Sequence, residues 1–328
     1  MALPGTLSQP LVRGHLFRYE SFTADAERGA LTCRYSLDGR EFAERVTLAP
    51  GPRWHTEAAR AAARLVFLLA GVSYYKTAAP PVIDLGPTAL TEAELAFLRE
   101  FYLQGLGEFA YRNALDLAPL RIEARQADAP HHTHPAAPGQ RALVPFGGGI
   151  DSIVVVERVR RLADVALFVV SRPADRFAAI EEPAGVTGLP VVRAEREIDP
   201  QLLRSAELGF LNGHVPVTGI LSAIAVLAAV LEDRDAVVMS NEWSASIPTL
   251  EYAGRAVNHQ FSKSGQFEAA FRDVLAHRPV PLPGYFSWLR DRTELWVGQE
   301  FAALEPYHGS FRSCNKAFYT ERARGSGR

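Results

Sequence analysis

The first third of the sequence contains short segments in which apolar residues alternate with polar ones or follow one another directly. Gly14–Phe22, Ala30–Leu37 and Phe42–Leu48 have this pattern, which is typical of β-strands. Asp38 and Gly39 connect the last two segments, and because Asp-Gly tolerates the positive φ angles of a tight turn, these segments are predicted to form a β-hairpin.

Two longer segments in the same region predict helices. Thr56–Leu69 is rich in alanine and places Arg60 and Arg64 on one face with leucines on another, as expected for an amphipathic helix. Thr91–Asn113 begins with Thr-Glu-Ala-Glu, which is close to a capping box. Residues 1–130 are therefore expected to form a small α+β domain.

The segment that follows is rich in proline and small polar residues and has no periodicity. We place a linker at 131–140 and a second domain at 141–328. The linker holds His131, His132 and His134, which would be either a metal site or three solvent-exposed side chains. Exposure is the favoured interpretation, because the segment has no neighbouring cysteine or acidic ligands.

Beyond the linker, short apolar strands alternate with helical segments, which predicts an α/β fold with a parallel sheet flanked by helices. Ligands of such sheets bind at the carboxyl ends of the strands. The predicted strands are Arg141–Phe146, Val165–Ser171, Leu189–Arg193 and Ala236–Ser240, and the predicted helices are Asp151–Leu162 and Thr218–Leu231.

Composition narrows the class of protein. With 328 residues, 48% of them hydrophobic, the chain is long enough for a sizeable core. The net charge of -2 provides no global positive field, so nucleic acid is not expected as the main partner. Two distant cysteines, Cys33 and Cys314, indicate neither a disulfide framework nor a zinc site and fit a reducing compartment.

No membrane partner is expected either. The apolar run Ile220–Leu231 is shorter than the ~20 residues of a membrane span and is interpreted as a buried helix. Met1–Pro10 lacks the basic and apolar regions of a signal peptide. A cytoplasmic protein is the resulting expectation.

The strongest chemical signal is a glycine loop between a predicted strand and a predicted helix. Gly147, Gly148 and Gly149 lack Cβ atoms, so their N–H groups and the following helix start can surround phosphate oxygens. Ser152 can donate to a phosphate, and Asp151 would need a bridging cation such as Mg²⁺. The alternative is a tight turn with Asp151 as helix cap. Neither the Walker A nor the dinucleotide spacing is present.

Gly147–Ser152 resembles the Ser-Gly-Gly-x-Asp-Ser signature of the PP-loop ATP pyrophosphatases, with glycine in place of the first serine. Loss of that hydroxyl weakens one phosphate contact by about 0.5–1.5 kcal/mol, too little to reject the resemblance. The resemblance implies an adenine nucleotide alpha hydrolase-like fold that binds ATP, releases pyrophosphate and transfers AMP to a substrate oxygen. It also implies that adenine lies near the end of the second strand, at Ser171.

Polar side chains concentrate in four later segments: Asn212–Thr218, Ser240–Ser246, Asn258–Ser264 and Phe311–Phe318. Glu242 follows a predicted strand and is expected at the sheet edge beside the glycine loop, and His214 precedes the buried helix and is expected to reach the same edge. His259 and Lys263 lie in a segment too polar to be core, where a histidine can exchange protons near neutral pH.

Each of these residues also has a structural interpretation. His214 would bond a carbonyl group near the helix start, Glu242 would be a solvated loop residue, and Lys263 would be a surface lysine. Cys314 is more often a small buried residue than a nucleophile. Arg290 and Arg292 would be either an anion clamp or a solvated helix start.

The ordered set of motifs, from the glycine loop to Ser313-Cys-Asn-Lys-Ala-Phe318, resembles the ATP-dependent UDP-N-acetylmuramoyl-L-alanyl-L-glutamate epimerase family over most of the chain. The resemblance implies that ATP and Mg²⁺ activate the glutamate carboxylate of a UDP-muramoyl dipeptide, with Asp151 as metal ligand. His259, Lys263, Glu242 and His214 are the catalytic candidates. The family continues into a cysteine-containing segment, so a carboxyl-terminal segment is expected to be absent here.

Two rival functions share the loop. A PP-loop amide ligase or thiolating enzyme needs ammonia or sulfur delivery, and no Cys-x-x-Cys pair, glutaminase segment or basic RNA-binding face accompanies the loop. The other rival is a non-catalytic module that senses adenine nucleotides. Oligomeric state is left open by the sequence.

Overall fold

The computed structural model describes residues 13–128 and 140–312. Its strands are β1 Leu16–Asp25, β2 Ala30–Leu37, β3 Arg40–Thr47, β4 Val82–Leu90, β5 Arg121–Gln126, β6 Arg141–Pro145, β7 Asp164–Ser171, β8 Val191–Glu197, β9 Ala236–Met239, β10 Leu250–Tyr252, β11 Arg255–Val257 and β12 Gly284–Ser287. Its α-helices are α1 Glu57–Ala70, α2 Val72–Tyr75, α3 Glu92–Gly105, α4 Gly107–Arg112, α5 Ile150–Val159, α6 Ala178–Thr187, α7 Pro200–Leu203, α8 Val217–Leu231, α9 Gly265–Ala276 and α10 Glu294–Ala302. Short 3-10 helices occur at Pro52–His55, Trp243–Ser246, Phe261–Lys263 and Glu305–Tyr307.

One sheet of ten strands runs through both parts of the chain, in the order β12-β9-β6-β7-β8-β3-β2-β1-β4-β5. The strands β12, β9, β6, β7 and β8 are parallel to one another, and helices flank them, so the predicted α/β architecture is confirmed. The carboxyl ends of these five strands define one edge of the sheet, where ligands of such folds bind.

The amino-terminal part continues the sheet with mostly antiparallel strands. The predicted hairpin is confirmed: β2 pairs with β3, and Asp38 and Gly39 take positive φ angles of 48° and 83°. β3 joins the parallel part through antiparallel pairing with β8, which places Arg45 opposite Glu197. We call this junction the seam.

The directions of the outer strands follow from these pairings. β3 is antiparallel to β8, β2 to β3, and β1 to β2, whereas β4 and β5 are parallel to β1. The carboxyl ends of β4 and β5 therefore lie at the edge of the sheet opposite that of β6, β7 and β9.

The two parts also share a hydrophobic core. Helix α8 is almost entirely buried, as predicted for Ile220–Leu231, and it packs against α1 from the amino-terminal part. The division at 131–140 stays a prediction, and the histidines proposed for that linker lie outside the described residues. Within the described residues, no helix is both long and apolar enough to span a membrane.

Two helices occupy the segment that was predicted as one helix. α3 begins at the predicted capping box of Thr91 and Glu94, but it ends at Gly105, and α4 begins at Gly107. A Cβ atom on Gly105 would lie 2.6 Å from the ring of Pro216. The break therefore occurs where the segment before α8 approaches the helix backbone.

Candidate active site

The glycine loop lies where the sequence predicted it, between the end of β6 and the start of α5. Gly148 has a φ angle of 75°, and a Cβ atom there would lie 2.2 Å from the carbonyl oxygen of Ala179, so this position requires glycine. Among the described residues, no atom lies within 4 Å of a Cβ added to Gly147, so the serine of the PP-loop signature would fit there. Gly149 caps α5 in an extended conformation. The loop amides thus lie at the amino-terminal end of a ten-residue helix.

Ser152 is buried, and its hydroxyl donates to the carbonyl oxygen of Gly149 at 3.0 Å. The sequence predicted that this hydroxyl donates to a phosphate. In the loop as it stands the proton is used inside the first turn of α5, so donation to a phosphate requires rotation of the side chain. Its role in ATP binding stays a prediction.

Three carboxylates and one lysine converge beside the loop. Burial raises the pKa of Asp151, the positive charge of Lys263 opposes this rise, and the negative charge of Glu294 adds to it. Burial, followed by the charges of Asp151 and Glu294, raises the pKa of Glu242 to about 7. The predicted proximity of Glu242 to the loop is thus observed, and Glu294 is an unpredicted member of the group.

Glu242 has an oxygen without a partner in this group. Its Oε2 atom is buried and forms no hydrogen bond with residues 13–128 or 140–312, whereas Ser244 donates to Glu294 Oε1 at 3.1 Å. An unpaired buried carboxylate oxygen is costly in water-excluded surroundings, unless it holds a proton or contacts a cation.

Arg290 connects the segments that carry Glu242 and Lys263. It donates to the carbonyl oxygens of Glu242 at 3.1 Å and of Lys263 at 2.8 Å, and it forms an ion pair with Glu268 at 2.8 Å. The guanidinium group of Arg290 thus holds two backbone segments in place. Its donors are occupied by these contacts, which does not support a role as an anion clamp. Arg292 lies 5.0 Å from the ring centroid of Trp296 and pairs with Asp291.

His214 and His259 form a second polar group near Lys263. Their ring centroids are 6.4 Å apart in an edge-to-face arrangement. Burial lowers the pKa of His214; the negative charge of Glu108 opposes this shift, and the charges of His259 and Lys263 add to it. His214 is therefore held mostly neutral near pH 7, as a proton acceptor requires.

Lys76 is a further member that the sequence did not indicate. Its Nζ atom donates to Asn212 Oδ1 at 2.7 Å and to the carbonyl oxygen of Gly213 at 3.2 Å, and burial lowers its pKa. It comes from the end of α2 in the amino-terminal part, and no local motif marks it. Glu294 was not indicated by the sequence either, because it is the first residue of α10 after the helix cap Thr293, a common position for an acidic residue.

The remaining candidates are spread along the same edge. Ser171 ends β7, the neighbour of β6, so it lies at the same edge as the loop. Asn258 is used in the local fold, since it donates to the carbonyl oxygen of Ala245 at 2.8 Å and accepts from the amide of Gln260 at 2.8 Å. Cys314 lies outside the described residues.

No group of three or more histidine, cysteine or acidic residues in the described ranges is arranged to hold a metal ion by itself. Mg²⁺, however, is usually bound through one or two carboxylates together with substrate phosphates and water. The oxygen donors of Asp151 and Glu242, their raised pKa values and the unpartnered Glu242 Oε2 atom fit such an ion.

Comparison with known proteins identifies the family. Residues 11–288, which include the glycine loop, Glu242 and His259, match the family model described as the MurL N-terminal domain. The chain belongs to the MurL family. It is 40% identical over 314 residues to the UDP-N-acetyl-alpha-D-muramoyl-L-alanyl-L-glutamate epimerase of Xanthomonas oryzae pv. oryzae (strain MAFF 311018), covering 92% of this chain and 68% of that protein.

A second MurL relative gives a similar result. The chain is 38% identical to the protein of the same name from Salinispora tropica, covering 95% of this chain and 69% of the relative. Among solved structures, the U34-tRNA thiolase NcsA from Methanococcus maripaludis is 13% identical over 56% of this chain, with a TM-score of 0.36. The family assignment therefore depends on the sequence relatives.

Proposed function

We propose that this chain is an ATP-dependent epimerase that inverts Cα of the terminal glutamate in UDP-N-acetylmuramoyl-L-alanyl-L-glutamate, a step of peptidoglycan precursor synthesis that releases AMP and pyrophosphate. The observation that carries the proposal is the glycine loop before α5 with Glu242 and Lys263 beside it, in a chain whose relatives are named as epimerases of this substrate.

Nucleotide binding is assigned to the loop. The amides of Gly147–Gly149 and the amino-terminal end of α5 would surround the phosphates of ATP. Asp151 would hold Mg²⁺, which neutralises charge on the phosphates when bound. Ser171, at the end of the neighbouring strand, is proposed to lie near adenine.

Activation explains why an epimerase would consume ATP. Removal of the Cα proton beside an ionised carboxylate would collect two negative charges. An oxygen of that carboxylate is proposed to attack the α-phosphorus of ATP, so that a new O–P bond forms while the bond to pyrophosphate breaks. The neutral acyl group of the resulting mixed anhydride accepts the charge that develops when Cα loses its proton.

Inversion then needs proton removal on one side of Cα and proton delivery on the other. Glu242 exchanges a proton near neutral pH, since its pKa is about 7, and His214 and His259 form a separate pair. We assign the acid–base steps to these groups and the charge of Lys263 to a carboxylate or phosphate oxygen. Water then cleaves the anhydride, which releases AMP and the D-glutamate product.

The deciding experiment incubates the chain with ATP, Mg²⁺ and the UDP-muramoyl dipeptide in D₂O, followed by hydrolysis and chiral analysis of glutamate. D-Glutamate with deuterium at Cα and one pyrophosphate per activation is the expected result. Asp151→Asn is the matched control and should fold but release no pyrophosphate. Pyrophosphate without deuterium would indicate a ligase instead, and binding of ATP without pyrophosphate release would indicate a sensor.

A further inference from the structure

A second large cavity lies away from the glycine loop. It has a volume of about 670 Å³ and is formed by the start of α1, the end of β4 with the start of α3, and the residues that follow β5 and α9. Because β4 and β5 are antiparallel to β8, this cavity lies at the opposite edge of the sheet from the loop. We call it the arginine cavity, after Arg60, Arg64 and Arg278 in its lining.

Two of these arginines share one carboxylate. Arg64 Nη1 and Arg278 Nη1 both lie 2.6 Å from Glu94 Oε1. The other oxygen of Glu94 accepts from the amide of Thr91 at 2.9 Å as part of the capping box. Both carboxylate oxygens of Glu94 therefore have partners, and its single negative charge is shared by two guanidinium groups.

Arg278 is left with an unmatched donor, and it shares its only counter-charge among the described residues with Arg64. Its side chain is 4% exposed, its Nε atom donates to the carbonyl oxygen of Val274 at 3.1 Å, and its Nη2 atom is buried without a partner in the described ranges. Burial lowers the pKa of Arg278 to about 10, and Arg64 contributes to the lowering. A buried guanidinium group in this state destabilises the fold unless an anion compensates it.

The other charged groups of the lining leave room for such an anion. Arg60 is exposed and has no ion-pair partner among the described residues. Glu57 and Asp128 also contribute to the lining, but both are exposed to solvent, where their charges are screened. The uncompensated positive charge is thus concentrated at the buried end of the cavity.

We propose that the arginine cavity binds a phosphate-ester anion through Arg278 and Arg60. Arg64 adds its positive charge, since its Nη atoms already donate to Glu94 and to the carbonyl oxygen of Ala89. Planar guanidinium forks match the geometry of phosphate oxygens, and a doubly charged phosphate supplies the counter-charge that the shared Glu94 cannot. The volume of about 670 Å³ is that of a site for a small organic molecule rather than for a simple ion.

The surface between α3 and α9 suggests one molecule that could carry this phosphate group. α3 and α9 pack antiparallel, with Phe97 beside Phe271 and Phe101 beside Phe267. Two smaller clefts lie along these helices and share Glu100 in their linings. One is lined by Val274, one turn of α9 before Arg278, and the other by Asn258 and Ser264, which flank His259 and Lys263. A helix of 12 residues is about 18 Å long, and an extended substrate that reached both sites would span at least that distance. The diphosphate of the proposed substrate is thus one source, and a separate phosphate ester is the other.

The site is tested first with inorganic pyrophosphate, independently of catalysis. Hydrogen exchange is measured with and without pyrophosphate for the start of α1 and for residues 277–280, which distinguishes this cavity from the glycine loop. We expect protection of both segments in the wild-type chain. Arg60→Gln, an exposed position, should fold normally and weaken pyrophosphate binding at least about tenfold. Arg204→Gln, an exposed arginine on α7's carboxyl side, is the matched control and should bind as wild type does.

Arg278→Gln provides a second variant, and its folding is checked by its unfolding temperature. Loss of protection in both variants supports the site. Absence of protection at high pyrophosphate concentration, or equal binding by both variants and wild type, would overturn the proposal.

A second experiment identifies the molecule that carries the phosphate, using the UDP-muramoyl dipeptide as substrate. A higher KM at unchanged kcat in Arg60→Gln identifies the diphosphate of this substrate as the ligand. Unchanged kinetics identify a separate phosphate ester. Only this second part depends on the proposed function, so the pyrophosphate result stands even if no epimerase activity is found.

Discussion

At the scale of single residues, the chemistry of the candidate active site depends on Glu242. Three carboxylates share a partly buried edge with one lysine, and like charges at short range favour protonation of at least one of them. Glu242 is the member whose pKa reaches the neutral range. The same position would therefore serve either as a proton carrier or, once a cation is present, as a metal ligand.

The raised pKa of Glu242 predicts a pH-dependent free energy of unfolding. Because folding raises this pKa from 4.5 to about 7, the folded chain holds the proton more tightly, and stability falls as the pH rises through that interval. Glu242→Gln cannot ionise, so its stability should change less with pH. Denaturation by urea at about pH 5 and about pH 8 measures the difference. Glu207→Gln, an exposed control, should follow wild type; parallel profiles for all three proteins would disprove the prediction.

A second prediction at this scale concerns His259. If it exchanges the Cα proton, His259→Ala should still bind ATP, while exchange of that proton with solvent falls by roughly 10²–10⁴-fold. Deuterium incorporation into glutamate measures the effect. His277→Ala, at the end of α9 beside the arginine cavity, is the histidine control and should retain exchange at the active site. Unchanged exchange in folded His259→Ala would assign the base to His214, Glu242 or Cys314.

At the scale of elements, the glycine loop contains two neighbouring positions that differ in whether they tolerate a side chain. Gly148→Ala forces a Cβ atom to within 2.2 Å of the Ala179 carbonyl oxygen at a positive φ angle, so it should reduce stability by about 1–3 kcal/mol and abolish ATP binding. Gly147→Ser enters open space and adds one phosphate donor, so ATP affinity should be retained or rise up to about tenfold. Calorimetric titration with ATP and Mg²⁺ measures both. Equal ATP affinity in the two variants would contradict the loop assignment.

The sequence predicted those elements that carry a strong local signal. The hairpin at Asp38, the capping box at Thr91, the buried helix α8 and the strand–loop–helix unit around Gly148 all have such signals, and all are confirmed. It did not predict α6, which contains Pro183 and has no side-chain cap, nor β4, which contains Gly86 and Pro87. Propensity argues against both elements, and tertiary packing overrides it.

The candidate site was predicted in the same uneven way. Residues that follow a strand, such as Glu242, can be placed because strand ends share an edge. Lys76 and Glu294 reach the site from a distant helix end and from an ordinary helix start, so only the packing of the chain brings them there. The arginine cavity is likewise invisible in the sequence, because Arg64, Glu94 and Arg278 meet only in the folded chain.

At the scale of the whole molecule, the seam between β3 and β8 holds the two parts together. Its centre contains a buried ion pair, in which Arg196 Nε lies 2.8 Å from Glu44 Oε1 and Tyr74 donates to Glu44 Oε2 at 2.9 Å. Glu44 is fully buried and Arg196 nearly so. The edge that carries the glycine loop and the opposite edge beside the arginine cavity therefore belong to one continuous sheet.

Disruption of this ion pair should destabilise both parts at once. Arg196→Ala leaves Glu44 buried without its counter-charge and should cost about 3–5 kcal/mol. Replacement of both residues by leucine removes both charges and should cost clearly less than the sum of the single replacements. Urea unfolding followed by tryptophan fluorescence measures each variant. Additive losses would contradict the ion pair between Glu44 and Arg196. Two separate transitions in wild type would show that the seam does not couple the two parts.

The seam also has a consequence for the order in which the chain is made. β3 is synthesised early, but its outer edge finds its partner only when the residues around Glu195 leave the ribosome, on the order of ten seconds later. Until then, the nascent chain carries an open strand edge that other nascent chains can pair with. The composition of β3 reduces this risk. Arg40, Glu41 and Arg45 are charged and exposed, which disfavours pairing with a strand of another chain before β8 is available.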